Sequence, residues 1–181
     1  MNAIARLSGM HYEALADEPC SILRPLALLG DRWTLVVLRQ AFAGIRRFEG
    51  FQTSLGVSRA LLTERLARLV EAGILERRAY RDVQRTRYEY RLTPKGLDLY
   101  PVLMAFRAWG DKYLAPDGPF VEYRHKGCGG SARTRLTCDE CEADLSVFDI
   151  AVSPGPGSAA SQADGDFART EPDRTPSRPG G

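Results

Sequence analysis

No stretch of the 181 residues stays apolar for the roughly 18 positions a membrane-crossing helix needs, so a transmembrane span is excluded. The opening residues, Met1 to Gly9, lack a basic segment followed by an unbroken apolar one. Secretion is therefore not expected, and the chain reads as cytoplasmic with no membrane partner. Only two histidines occur, and neither a glycine-rich phosphate loop nor a nucleophile elbow is found, which argues against an enzyme. Internal repeats are absent. Residues 153–181 have little from which to build a core: they are largely Pro, Gly, Ser, Ala and Asp with one aromatic, Phe167. They cannot offset the entropy of ordering, and a disordered tail is expected there. The rest suffices for one domain with additions, since 44% apolar and 27% charged residues is a globular composition.

The net charge is only +2, but it is unevenly placed. Met1 to Pro116 carries 18 Lys and Arg against 12 Asp and Glu, whereas the remainder carries 7 against 11. Of those 18 cations, 12 fall between Ile45 and Lys95, where six acids oppose them. Such clustering suits a polyanion, although a solvated basic face has the same composition.

After an uninformative arm (residues 1–19), apolar spacing predicts a helix from Cys20 to Gly30, with Ile22, Leu23, Leu26 and Leu29 or Ala27 on one side. Asp31 is placed to cap a second helix running to Phe42 and burying Trp33, Val36, Val37 and Leu38, with Gly44 as its stop. A third, short helix ends at Leu55. Ser58 caps a fourth that reaches Ala72 and stops at Gly73. The period then falls to two: strands are expected over Ile74–Tyr80 and Arg87–Leu92, joined by a polar loop, with Tyr88, Tyr90 and Leu92 on one face. Thr93 and Pro94 start a last long helix, which Pro101 should kink near its second turn. Its apolar positions Leu99, Val102, Phe106, Trp109 and Tyr113 step by three and four, the spacing of a helix-pairing seam. These side chains either fill the domain's own core or form a dimer interface; two large aromatics on a terminal helix favour the dimer.

Three helices followed by a two-stranded hairpin is the order of a winged helix-turn-helix, whose second motif helix enters the major groove. In helix 58–72, Leu62, Leu66, Leu69 and Val70 face the core, and opposite them lie Ala60, Thr63, Glu64 and Ala67. Small side chains there let the backbone approach base edges closely. Arg59 is positioned to reach a guanine edge or a phosphate, and Thr63 a base edge or thymine methyl. The amides at Ser58 and its neighbours suit a phosphate. Arg65 and Arg68 flank the helix as expected backbone contacts, and Arg81, Arg85 and Arg87 lie on or beside the wing loop, placed to follow phosphates or enter the minor groove.

Four segments occur in a recognisable order: Cys20-Ser-Ile-Leu-Arg-Pro-Leu-Ala-Leu-Leu-Gly-Asp-Arg-Trp-Thr-Leu, then Arg47-Phe48-Glu49-Gly50-Phe51, then Leu62-Thr-Glu-Arg-Leu-Ala-Arg-Leu-Val-Glu-Ala-Gly-Ile-Leu-Glu-Arg77, then Tyr90-Arg-Leu-Thr-Pro-Lys-Gly96. Together they resemble the HxlR family of winged helix-turn-helix transcriptional regulators, over roughly Pro19 to Leu114. The resemblance implies a homodimeric bacterial transcription factor, usually a repressor, whose first and last helices build the dimer interface. It departs from the family's usual Cys-Pro start, which is Cys20-Ser21 here. Some members sense electrophiles or oxidants through a cysteine at the position matched by Cys20. A thiol at a helix start with Arg24 one turn on is suited to that role, although a free cysteine often only packs. The effector remains unassigned by sequence.

Past the winged helix (residues 20–116), residues 119–152 carry His125, Cys128, Cys138 and Cys141. Two residues separate the members of each pair, so each pair can chelate one ion from a tight turn. Four nitrogen and sulfur ligands suit structural, tetrahedral Zn2+ in a small zinc knuckle. Free thiols or a disulfide are the competing readings, the latter disfavoured in a reducing compartment. Glu142 stands where a glycine often follows the second knuckle.

The expected architecture is therefore mainly α with a small β-hairpin wing, a long C-terminal dimerisation helix, a zinc-knuckle extension and a disordered tail. The expected function is homodimeric binding of double-stranded DNA at a pseudo-palindromic operator with half-sites about 10 bp apart, repressing by promoter occlusion. The alternative is an adaptor that uses the winged helix and knuckle for protein contacts in the transcription machinery.

Overall fold

The computed structural model describes residues 12–81 and 86–158. The chain divides into two compact units. The larger, Gly9–Thr134, contains the helices and the hairpin together with His125 and Cys128; the described residues of the smaller, 135–158, include Cys138 and Cys141. From residue 159 onward the expected disordered tail lies outside the described residues, as does the first part of the N-terminal arm.

The larger unit is mainly helical with one antiparallel hairpin. A 3-10 turn over Tyr12–Asp17 leads into α1 (Leu23–Leu29), α2 (Arg32–Phe42), α3 (Phe48–Leu55) and α4 (Arg59–Glu71); β1 (Leu75–Arg81) and β2 (Thr86–Leu92) follow, then α5 (Pro94–Leu97) and α6 (Tyr100–Tyr113). Three of these starts were legible as caps. Asp31 accepts from the amides of Trp33 at 2.9 Å and Thr34 at 3.3 Å. Ser58 Oγ accepts from Leu61 N at 3.3 Å, and Thr93 Oγ1 from Gly96 N at 3.1 Å. Each satisfies an amide that the first helical turn leaves without a partner. Gly56, at φ 62°, ends α3 in the left-handed region that a tight connection between the two motif helices requires.

The core is built from Leu29, Val37, Leu38, Ala41, Phe51, Leu62, Leu66, Leu69, Ile74 and Leu75. Burial on α4 follows the expected stripe. On α2 the stripe is rotated: Thr34, Val37, Leu38 and Ala41 are buried, while Trp33 and Val36 are half-buried. Asp31 caps the first turn, and the indole lies at the edge, where the Arg32 guanidinium is 5.3 Å from its ring centre. The first helix is shorter than expected. Ser21 and Ile22 form a turn before it, and only Leu29 of its apolar residues is buried; Ile22 and Leu26 are exposed.

The hairpin ladder runs from Leu75 opposite Leu92 to Arg81 opposite Thr86, one residue longer at the tip than the alternation predicts. Tyr90 and Leu92 pack on the core, Tyr90 edge-on to Phe51 at 6.4 Å between ring centres; Tyr88 stays exposed beneath Arg77. A third strand position borders β2. Tyr90 N donates to the Arg46 carbonyl at 2.7 Å and Arg47 bridges to Glu89, which ties the α2–α3 connection to the hairpin.

The expected kinked helix is instead two helices. Pro101 has no amide to offer the carbonyl of Leu97 and its ring would collide with that group. The chain breaks at Asp98 and Leu99, Leu99 N falling back to the Gly96 carbonyl at 3.2 Å, and α6 restarts with Pro101 in its first turn, where an amide is dispensable.

Candidate nucleic-acid interface

The outer face of α4 is exposed at Ser58, Arg59, Ala60, Thr63, Glu64 and Ala67. Arg59, the first helical residue, stacks its guanidinium 4.7 Å from the ring centre of Phe48, at the start of α3. That contact holds its charge at the corner between the two motif helices while leaving its edge open to bond. Thr63 Oγ1 donates back to the Arg59 carbonyl at 2.8 Å, which uses its proton and leaves its lone pairs as acceptors.

Two of the expected backbone contacts are engaged inside the domain. Arg65 Nη2 donates to Asp31 Oδ2 at 3.2 Å, and its Nε lies 3.0 Å from Asp31 Oδ1 without the alignment of a hydrogen bond; the side chain is 13% exposed. A second donor, Nη1, meets Glu64 at 2.6 Å. Arg68 Nη2 donates to the Ala27 carbonyl at 3.2 Å. Both side chains therefore pin α4 onto the α1–α2 corner, a partnership that links positions 34 and 41 residues apart and leaves no trace in local spacing.

On the wing, Arg81 is exposed at the last ladder pair and Arg87 is half-buried, 4.0 Å from Glu49 through Nη1; Arg85 lies outside the described residues. Two cations not singled out from the sequence belong to the same surface. Arg46 and Arg47 are exposed, and Arg47 stacks 4.9 Å from the ring centre of Tyr80 on β1. The doublet preceding α3 was the available signal.

Elsewhere in the same unit, α6 exposes Val102, Phe106, Trp109 and Tyr113, the last two with ring centres 5.4 Å apart. Leu99 differs from this group, being packed against the core. Cys20 is half-exposed, and the Arg24 Nε is engaged at 2.8 Å with the Glu18 carbonyl.

The four predicted metal ligands form two pairs. His125 Nδ1 lies 3.2 Å from Cys128 Sγ. The backbone amides of Cys141 and Glu140, and then the Cys141 thiol, hydrogen-bond the Cys138 sulfur and hold its pKa below the usual thiol value. Among the described residues of either unit, no three His, Cys, Asp or Glu side chains converge as a metal-binding group.

The HxlR-like helix-turn-helix family matches residues 28–118, half of the chain, across α2 to α6. The chain belongs to that family. It is a helix-turn-helix transcriptional regulator, and its relatives carry that description. An uncharacterized HTH-type transcriptional regulator of Mycobacterium tuberculosis strain H37Rv is 42% identical over 144 residues, 79% of this chain and 90% of the relative. The HTH-type regulator YdeP of Bacillus subtilis strain 168 is 30% identical over 60% of this chain and 84% of its own length. Among solved structures, PA1607, described as a candidate transcription factor, superposes with a TM-score of 0.70 at 35% identity, covering 78% of this chain and 99% of that one. A match over 79% of the chain reaches past Cys141 wherever it begins, so the mycobacterial relative shares the region that follows the family match. Among the described residues no helix is long and apolar enough to cross a membrane.

Proposed function

We propose that this HxlR-type regulator binds a pseudo-palindromic operator as a homodimer and represses by occluding a promoter. The observation that carries the reading is the outer face of α4. It is lined by Ala60, Thr63, Glu64 and Ala67, with Glu64 paired to Arg65; it begins at a capped N-terminus with Arg59 clamped on Phe48, and it is flanked by the exposed cations Arg46, Arg47 and Arg81. A slim helix face lets the backbone sit deep in a major groove, and the cations around it neutralise phosphates.

In this reading Arg59 and Thr63 contact bases, Ser58 and the first amides of α4 take a phosphate, and Arg81, Arg85 and Arg87 with Arg46 and Arg47 follow the backbone. Arg65 and Arg68 act by holding the helix at its angle. The test is binding of the protein to fragments of its own upstream region, followed by fluorescence anisotropy at several salt concentrations. Arg59→Ala is expected to weaken the specific complex by about 5- to 100-fold and to relax preference at one base position. Arg81→Ala should weaken all sequences alike and reduce the slope of log affinity against log salt by about one. Unchanged affinity and selectivity in the Arg59 variant would refute this placement of α4.

A further inference from the structure

Between Ala60 and Ala67 the outer face of α4 offers acceptors rather than donors. Thr63 has committed its proton to the Arg59 carbonyl, so toward solvent it presents lone pairs. Glu64 is the long polar side chain of these middle turns. It follows Ala60 by four residues and precedes Ala67 by three, so its neighbours on that face, one turn to either side, are short and its carboxylate reaches past them. The side chain is 58% exposed.

A carboxylate on a surface that meets a polyanion is costly unless it has a task there. Arg65 does not cancel its charge. The guanidinium that meets Glu64 at 2.6 Å through Nη1 is shared with Asp31, at 3.2 Å through Nη2 and 3.0 Å through Nε. Two carboxylates thus face one cation. Of the three side chains Glu64 is the most exposed, against 29% for Asp31 and 13% for Arg65, so the surplus negative charge sits on the outer face of the helix. Asp31 is itself fixed, since its Oδ1 accepts from the amides of Trp33 and Thr34 at the start of α2. The chain of contacts from the α2 cap through Arg65 holds the Glu64 carboxylate in one orientation before any partner arrives, which lowers the ordering entropy lost on binding.

We propose that Glu64 is a specificity-determining residue that accepts a hydrogen bond from the N4 amino group of a cytosine in the major groove. The proposal rests on the reading of α4 as the helix that enters the groove. Guanine presents N7 and O6 there and thymine O4 and a methyl group, so both oppose a carboxylate with acceptors or with nothing to bond. Adenine sets its N7 acceptor beside its amino group. Cytosine presents a donor alone. In any other register the carboxylate is desolvated without a partner and close to phosphates, so Glu64 discriminates by excluding wrong sequences as much as by bonding the right one.

The experiment selects bound sequences from a randomised duplex library with the full chain as wild type, Glu64→Gln and Glu64→Ala. Anisotropy then gives the affinity of each protein for the wild-type consensus duplex, for its single base-pair variants and for a scrambled duplex of the same length. The expected result for wild type is a cytosine at one position of the sequence each α4 contacts, preferred over guanine or thymine by about 5- to 100-fold. In Glu64→Gln the preference should turn to adenine, whose N6 and N7 together suit an amide, and in Glu64→Ala it should vanish, while the position read by Arg59 is kept in both. Both variants should bind the scrambled duplex about 3- to 10-fold more tightly than wild type, one repelling charge having been removed. A glutamate that only braced Arg65 would not change which base is chosen. An unaltered cytosine preference in Glu64→Gln, or a loss spread evenly over all positions in both variants, would overturn the proposal and leave the operator reading standing. A wild type that selects no common sequence would overturn both.

Discussion

Phe106→Glu is expected to convert the protein to a protomer at micromolar concentration and to cut operator affinity by about 100-fold or more. One chain leaves Val102, Phe106, Trp109 and Tyr113 of α6 exposed at 54%, 65%, 56% and 59%, and α1 adds Ile22 at 70% and Leu26 at 41%. Apolar surface on that scale, on the helices that the family resemblance assigns to the interface, is suited to a second copy. Twofold symmetry places any new carboxylate in the interface twice, without a partner cation introduced for it, and desolvating it is costly. Without the dimer each half-site is engaged separately, and the gain from tethering the second contact to the first, about 100- to 10,000-fold, is lost. Because Phe106 is exposed in the protomer, thermal stability of the domain itself should change little. Sedimentation velocity and anisotropy on the same preparation provide the check. A dimer of unaltered strength, still binding operator, would remove α6 from the interface.

Gly96→Ala should be the most damaging single methyl addition in the domain. Gly96 is buried in α5, and a Cβ there would overlap the Ile74 carbonyl oxygen and crowd Leu92 Cδ2 at 3.1 Å. That carbonyl is already in use, accepting from Thr93 N at 3.0 Å and Thr93 Oγ1 at 3.2 Å. Backbone cannot rotate away as a side-chain end can, so relieving the clash breaks these bonds and separates the hairpin from the helix that follows it. The expected cost is about 2–4 kcal/mol, a fall in Tm of roughly 10–20 °C by thermal denaturation. Lys95→Met next to it, which removes only the exposed Nζ bond to the Ala72 carbonyl at 2.8 Å, should cost under about 1 kcal/mol. Equal effects of the two would show that the close approach at Gly96 is relieved without strain.

Much of this arrangement was legible from local chemistry. Asp31, Ser58 and Thr93 announced three helix starts because a cap acts within three residues of itself, and Leu62, Leu66 and Leu69 announced the buried side of α4 because helical period is also local. What escaped depends on partners distant along the chain. Arg65 and Arg68 have the look of solvent-facing cations until Asp31 and the Ala27 carbonyl are brought to them. Arg47 gains meaning only when Tyr80 lies beneath it. Trp33 was placed on the buried stripe of α2, but Thr34 took the interior position and the indole is half-buried. At Pro101 the mechanism was right and the extent was underestimated, since the proline separates two helices rather than bending one. In the extension, pair spacing signalled the contacts of His125 with Cys128 and of Cys138 with Cys141, while the division of the two pairs between separate units left no local trace.

The grip of Thr93 and Lys95 on the carbonyls of Gly73, Ile74 and Ala72, in the segment that follows α4, joins the helix proposed to enter the groove closely to the head of the α5–α6 arm. The angle between reading head and arm is therefore not adjustable at small cost. In a symmetric pair joined along α6, the distance between the two reading heads becomes a constant of the molecule, so such a regulator gauges length as well as letters. Sliding one half-site along the duplex by a few base pairs also carries it around the helix axis, out of reach of a rigid caliper, even with every contacted base preserved.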